Sequence, residues 1–133
     1  MVEEHTKKAF KFRGKLLEEL KALDVREFAK LLKSRERRTV LRQFQEIEKF
    51  INRAKAKIER GKLVKTHSRY LVVVPGMIGM KIATYNGQKF MPTEITGEML
   101  GHRLGEFAPS RSRINHGSAG VGATKGSKFK SKK

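Results

Sequence analysis

The sequence predicts an α+β fold, helices first and strands after, because three stretches of its 133 residues are patterned differently. Apolar residues recur at three- and four-residue spacing over 15–60, the period shortens to two between 70 and 95, and from Gly117 onward apolar residues nearly vanish. Segregated runs of helix and strand fit α+β, whereas strict alternation would call for a parallel α/β sheet. The chain therefore divides into a helical N-terminal extension over 1–61, a core over 62–114, and a basic tail over 115–133. A chain of this length has enough surface to bury for one hydrophobic core.

The elements follow in order. Leu16, Leu17, Leu20 and Leu23 make one stripe and predict a first helix over 15–23. Asp24 followed three residues later by Glu27 has the form of a capping box and starts a second helix that runs to about Leu32. Ser34 is the expected cap of a third, long helix, and Gly61 its expected end. Val40, Phe44, Ile47, Ile51, Ala54 and Ile58 form its apolar seam, with Arg42, Lys49, Arg53, Lys57 and Arg60 on other faces. That seam suits packing on the chain's own sheet better than an intermolecular coiled coil, since fewer than four heptads are present.

Tyr70 to Val74 and Lys81 to Tyr85 predict two strands, broken apart by Pro75, Gly76 and Gly79. Asn86-Gly87 predicts a type I′ hairpin turn into a third strand over Lys89 to Ile95. Pro92 lacks an amide donor, so this strand belongs at an edge or carries a bulge. Thr96 is placed to cap a short turn through Leu100. The tail offers too few apolar side chains to offset the entropy of ordering and is expected to be disordered in isolation.

Thirty-one Lys and Arg against thirteen Asp and Glu give a net charge of +18. Residues 1–61 hold 18 basic and 10 acidic side chains, 62–108 hold 6 and 3, and 109–133 hold 7 and none. Such an excess repels itself unless a polyanion meets it, with nucleic acid the first candidate and an anionic membrane the second. No cysteine is present, which rules out disulfides and thiolate metal sites and fits a reducing, cytoplasmic setting. The N-terminus begins with acidic residues and lacks an apolar signal region. The longest apolar stretch, Leu71 to Val74, falls far short of the ~20 residues that cross a bilayer.

Enzyme signatures are absent. The stretch from Gly117 to Ser127 is glycine-rich, but its order is Lys-Gly-Ser rather than Gly-Lys-Ser, and no helix follows, so it does not form a nucleotide loop. His5, His67, His102 and His116 include no i, i+4 pair and predict no metal site. His67 beside Ser68 is no catalytic dyad, since adjacent residues of an extended chain face opposite ways. No cofactor is called for. Two other classes, a DNA-compacting protein and an RNA-modifying enzyme, share the charge; the second would need more convergent acids than Glu94, Glu98 and Glu106 provide.

From Lys65 to Ser110 the residues become distinctive. Asn86-Gly87-Gln88, Ile95, Leu100-Gly101 and the run His102-Arg103-Leu104-Gly105-Glu106-Phe107-Ala108-Pro109-Ser110 fill every fixed position of a known signature. On these residues the chain resembles the universal small-subunit ribosomal protein family numbered nineteen in bacteria and fifteen in eukaryotes. Val74-Pro75-Gly76-Met77-Ile78-Gly79 resembles the family's Pro-x-x-hydrophobic-Gly loop, with Gly76 where many members carry an acid. Asn115-His116-Gly117 and the Gly-Val-Gly-Ala-Thr segment resemble the archaeal and eukaryotic tail, and bacterial members largely lack the helical N-terminal third.

The resemblance implies a core with a three-stranded, mostly antiparallel sheet and a structural, non-enzymatic role bound to ribosomal RNA in the small-subunit head. It implies the ribosomal protein numbered thirteen as neighbour and a tail directed towards the decoding region, within reach of transfer RNA or messenger RNA. Lys81, Lys89, His102, Arg103, Arg111 and Arg113 are the RNA-facing candidates by their places in the motif, with Lys65, His67 and Arg69 before the first predicted strand. Lys125, Lys128 and Lys130 would serve the tail. Asn86, Gly87, Gly101 and Gly105 are assigned to backbone geometry, and Leu100, Leu104 and Phe107 to anchoring the terminal turn.

Overall fold

A computed structural model describes residues 10–115. Two short strands, β1 (Lys11–Phe12) and β2 (Lys15–Leu16), pair antiparallel and are followed by helices α1 (Leu17–Ala22), α2 (Val25–Ala29) and α3 (Ser34–Glu59). Strands β3 (Val64–Thr66), β4 (Lys81–Tyr85) and β5 (Phe90–Glu94) form the main sheet in that spatial order. Short 3-10 turns occupy Pro75–Met77, Gly97–Met99 and Leu104–Phe107. The α+β class and the three-stranded sheet are as expected, and the sheet is mixed: β4 and β5 run antiparallel, β3 and β4 parallel.

The opening hairpin is not expected from the leucine stripe, which predicts helix from residue 15 onward. Arg13 and Gly14 both take positive φ, 52° and 84°, and so form the tight reversal between β1 and β2. The cap of α3 also shifts by one residue. Lys33 holds the extended cap conformation and Ser34 is the first helical residue. At the other end Gly61 behaves as expected: at φ 66° its amide reaches the Ile58 carbonyl, and the Lys62 amide reaches that of Lys57, closing the helix end.

The first strand of the sheet is not the predicted one. Tyr70 to Val74 runs extended, but its backbone partners lie in the signature segment rather than in β4: Val73 donates to His102, Gly101 to Val73, Leu104 to Leu71 and Gly105 to Arg69. One isolated antiparallel bridge, Val72 with Arg103, marks this pairing. The run reads as a strand because Leu71, Val72, Val73 and Val74 are all buried. Their burial beneath the signature segment leaves the edge of β4 to β3, whose three residues are too few to show a period.

The turn after β4 also departs in detail. Gly87 alone takes positive φ, 103°, so the loop is not type I′. Asn86 instead uses its side chain, accepting from the Gln88 and Lys89 amides at 2.9 Å each, while its own amide donates to the Lys89 carbonyl. Pro92 sits on β5, an edge strand, as its missing amide requires.

One hydrophobic cluster joins the helices to the sheet. Leu20, Phe28, Val40, Ile47, Ile51 and Ala54 from the helices pack with Leu71, Val73, Met77, Ile82, Ile95 and Leu104. The seam of α3 therefore covers the chain's own core. Phe44 is only half-buried and Ile58 is exposed, while Phe50 joins the buried set.

Candidate nucleic-acid interface

The main sheet has two unlike faces, and the register decides which residues share them. Val64, Ile82 and Thr93 align across the strands, as do Thr66, Thr84 and Met91. These point inward, with Val64, Ile82, Thr66 and Thr84 buried. The intervening positions make the opposite face: Lys65 beside Ala83 and Pro92, Lys81 beside Glu94, and Tyr85 beside Phe90.

His67 follows β3 and completes that outer face. Its ring centroid lies 4.7 Å from Tyr85 and 5.1 Å from Phe90, and the latter two lie 5.1 Å apart. Lys65 holds its ammonium 5.4 Å from the centre of the Phe90 ring. The outer face thus presents three clustered rings with Lys65 beside them, while Lys81 stands exposed at the start of β4 and Lys89 in the turn. Aromatic rings among cations are what nucleotides stack on and pair with.

His102 and Arg103 belong to a second region, on the signature segment. His102 Nδ1 lies 2.8 Å from Glu106 Oε2, both side chains about half exposed. The Arg103 amide donates to Glu106 Oε1 at 3.3 Å, so Glu106 serves both the imidazole and the start of the terminal turn. His102 also meets Phe107 edge-on, with centroids 6.1 Å apart. Arg111 and Arg113 follow this segment and are exposed. His116, Lys125, Lys128 and Lys130 lie outside the described residues, as does His5.

Arg69 is placed differently from the other candidates. It is half-buried, and its guanidinium donates to the carbonyls of Tyr85 at 2.6 Å and Gly105 at 2.8 Å, tying the end of β4 to the signature segment. Gly105 is fitted to the same spot, for a Cβ there would stand 3.0 Å from both Cβ and the carbonyl oxygen of Arg69. Arg37, which no motif in the sequence singles out, acts likewise on the helices: it donates to the carbonyls of Ala29, Lys30 and Leu32 at 3.3, 2.8 and 3.3 Å. These carbonyls end α2, where a cation is favourable. Nothing in an arginine's sequence position distinguishes a carbonyl clamp from a phosphate ligand, so neither role is legible there.

Among the described residues no Lys or Arg nitrogen lies within 4.0 Å of a carboxylate oxygen. Arg26 stacks on Phe44 at 3.7 Å instead. The described residues hold no cluster of three His, Asp or Glu side chains suited to a metal, and no helix long and apolar enough to cross a membrane. The surface is built to meet anions rather than to neutralise itself.

Comparison with known proteins bears on the same segment. A family model described as Ribosomal protein S19 matches residues 34–116. A relative from Methanococcoides burtonii, named small ribosomal subunit protein uS19, is 44% identical over 121 residues, covering 90% of this chain and 86% of its own.

Proposed function

The chain belongs to the ribosomal protein S19 family, and from that membership we propose that it is a structural constituent of the small ribosomal subunit, held there by ribosomal RNA. The observation that carries this reading is the 44% identity to the small-subunit relative over nearly the full length of both chains. The absence of ion pairs on Lys and Arg among the described residues supports it, because exposed cations such as Lys65, Lys81 and Lys89 are not neutralised by the chain's own acids and can replace counterions on phosphates. Its place is then the cytoplasm, within the ribosome.

Within that reading the two exposed regions have distinct parts. Lys65, His67, Lys81 and Lys89 serve the outer face of the sheet, and His102, Arg103, Arg111 and Arg113 serve the signature end. Arg69 is better suited to holding these regions together than to reaching RNA. The subunit head is the proposed location, with the ribosomal protein numbered thirteen beside it. The tail, with Lys125, Lys128 and Lys130, is proposed to run towards the decoding region and transfer RNA or messenger RNA.

Sedimentation of native extract through a high-salt gradient tests the reading. The protein should travel with small-subunit RNA and leave that position after ribonuclease treatment. Free protein at the top of both gradients would overturn the assignment.

A further inference from the structure

A cleft of ≈ 270 Å³ opens between α3 and β3, next to the ring cluster of the outer face. Arg53 and Lys57 of α3 line one wall, and Lys65, Thr66, His67 and Ser68 the other. Lys49, Arg53 and Lys57 stand at four-residue spacing and are all exposed, so three like charges lie one above another on α3. That spacing destabilises an isolated helix unless an anion intervenes. The acid in the cleft, Glu46, accepts the Tyr70 hydroxyl rather than pairing with these cations.

The cleft and the rings meet at two residues. Lys65 and His67 line the cleft, and each also belongs to the Tyr85–Phe90 cluster. The three rings are inclined to one another by 49°, 79° and 52°, so a phosphate-sized anion in the cleft would lie beside rings of which one, the exposed His67, can take a flat base face-on. A paired base is already stacked within its helix, whereas an unpaired one offers both faces.

We propose that this junction is a site for one unpaired ribonucleotide, its phosphate at the Arg53 and Lys57 wall of the cleft and its base stacked on the exposed His67 ring, with Tyr85 and Phe90 meeting the base at its edge. The inference rests on the RNA-binding reading and adds the class of RNA taken: a bulged or looped nucleotide of ribosomal RNA. Helix α3 thereby contributes directly to recognition.

The test uses the full chain, observing the ring proton signals of His67, Tyr85 and Phe90 by NMR. Two probes are added at matched salt: a single-stranded hexauridylate and a fully paired RNA duplex. Hexauridylate should shift the three ring signals, the duplex should not, and R53A/K57A should weaken hexauridylate binding about tenfold while the fold is kept. Equal binding of both probes with unmoved rings would sink the stacking site yet leave RNA binding intact; no binding of either would count against both.

The source of the nucleotide is settled in intact small subunits by ultraviolet crosslinking. A nucleotide attached to the peptide holding Tyr85 and Phe90, in subunits stripped of messenger and transfer RNA, supports the ribosomal origin. Attachment only after those RNAs are restored, or no attachment to that peptide in the stripped subunits, would overturn the proposal.

Discussion

Arg69 shows how a single side chain can be misassigned when charge is the only guide. Its two donors meet carbonyls of Tyr85 and Gly105, groups that come from segments far apart in sequence. Charge-assisted bonds of this kind are worth roughly 1.5–3 kcal/mol each, and truncation leaves the carbonyls to find other partners. Arg69→Ala should therefore lower stability by about 2–4 kcal/mol, read as a shift of the urea midpoint. RNA affinity of the fraction that remains folded should change little at constant salt. A variant of native stability with weakened RNA binding would place Arg69 at the interface instead.

Tyr70 is a second case at this scale. Its hydroxyl donates to the Glu46 carboxylate, which raises the phenol above its ordinary value of 10.0; Ser68 pulls the other way, and slight burial and the negative charge of Glu46 add to the rise. The bond needs the protonated phenol, so its contribution is complete below pH 10 and is lost as pH climbs through the raised value. Because the ring is largely exposed, the contribution is about 1 kcal/mol or less. Tyr70→Phe should show a small, constant deficit in stability from pH 7 to 9, which shrinks as pH rises past 10 and vanishes above the raised value. A deficit that persists there would assign the loss to packing rather than to this bond.

Among the elements, legibility follows period and punctuation. The long helix is readable because Val40, Ile47, Ile51 and Ala54 repeat over many turns, and Gly61 supplies the backbone freedom that ends it. Strand β5 is readable from the Asn86-Gly87 reversal before it, and its edge position from Pro92. Strand β3 is not, because three residues cannot display a period and its parallel partner lies beyond a crossover. The outer face is half legible: Lys65, His67, Lys81 and Lys89 stand out by charge and motif, whereas Tyr85 and Phe90 pass as ordinary strand residues. Only the β4–β5 register brings those two rings together, although the Asn86-Gly87 reversal is the signal that fixes it.

The crossing of the extended run beneath the signature segment is invisible in the sequence for a similar reason. It depends on a glycine admitting another backbone, and Gly105→Ala tests it. The added methyl would stand 3.0 Å from the Arg69 carbonyl oxygen, so one strand of the crossing must move. A loss of about 1–3 kcal/mol is expected, of the size that overpacking produces. Gly87→Ala is the control: a Cβ there meets nothing within 4 Å, and only the strain of φ 103° remains. Hydrogen exchange of the Val73 and Leu104 amides should accelerate in the first variant and not the second. Equal exchange in both would mean the crossing is not held by close approach.

For the molecule as a whole, an excess of +18 without Lys or Arg ion pairs among the described residues has opposite effects on folding and on binding. In the free protein the charges chiefly repel, and the hydrophobic cluster must hold them together. Salt screens repulsion over a distance of about 10 Å at 0.1 M, so the thermal midpoint of free protein should rise as salt is added. In the complex the same ions compete with Lys and Arg for phosphates, and affinity should fall steeply over the same range. Replacing Lys65, Lys81 and Lys89 together by Ala should raise the low-salt midpoint slightly. It should also reduce the slope of log affinity against log salt by about 2–3, near one for each phosphate that is no longer neutralised. Calorimetry of the free proteins and filter binding to small-subunit RNA read the two effects separately. An unchanged slope would remove these lysines from the interface, and a midpoint that falls with salt would show that attraction between charges, rather than burial, holds the free fold together.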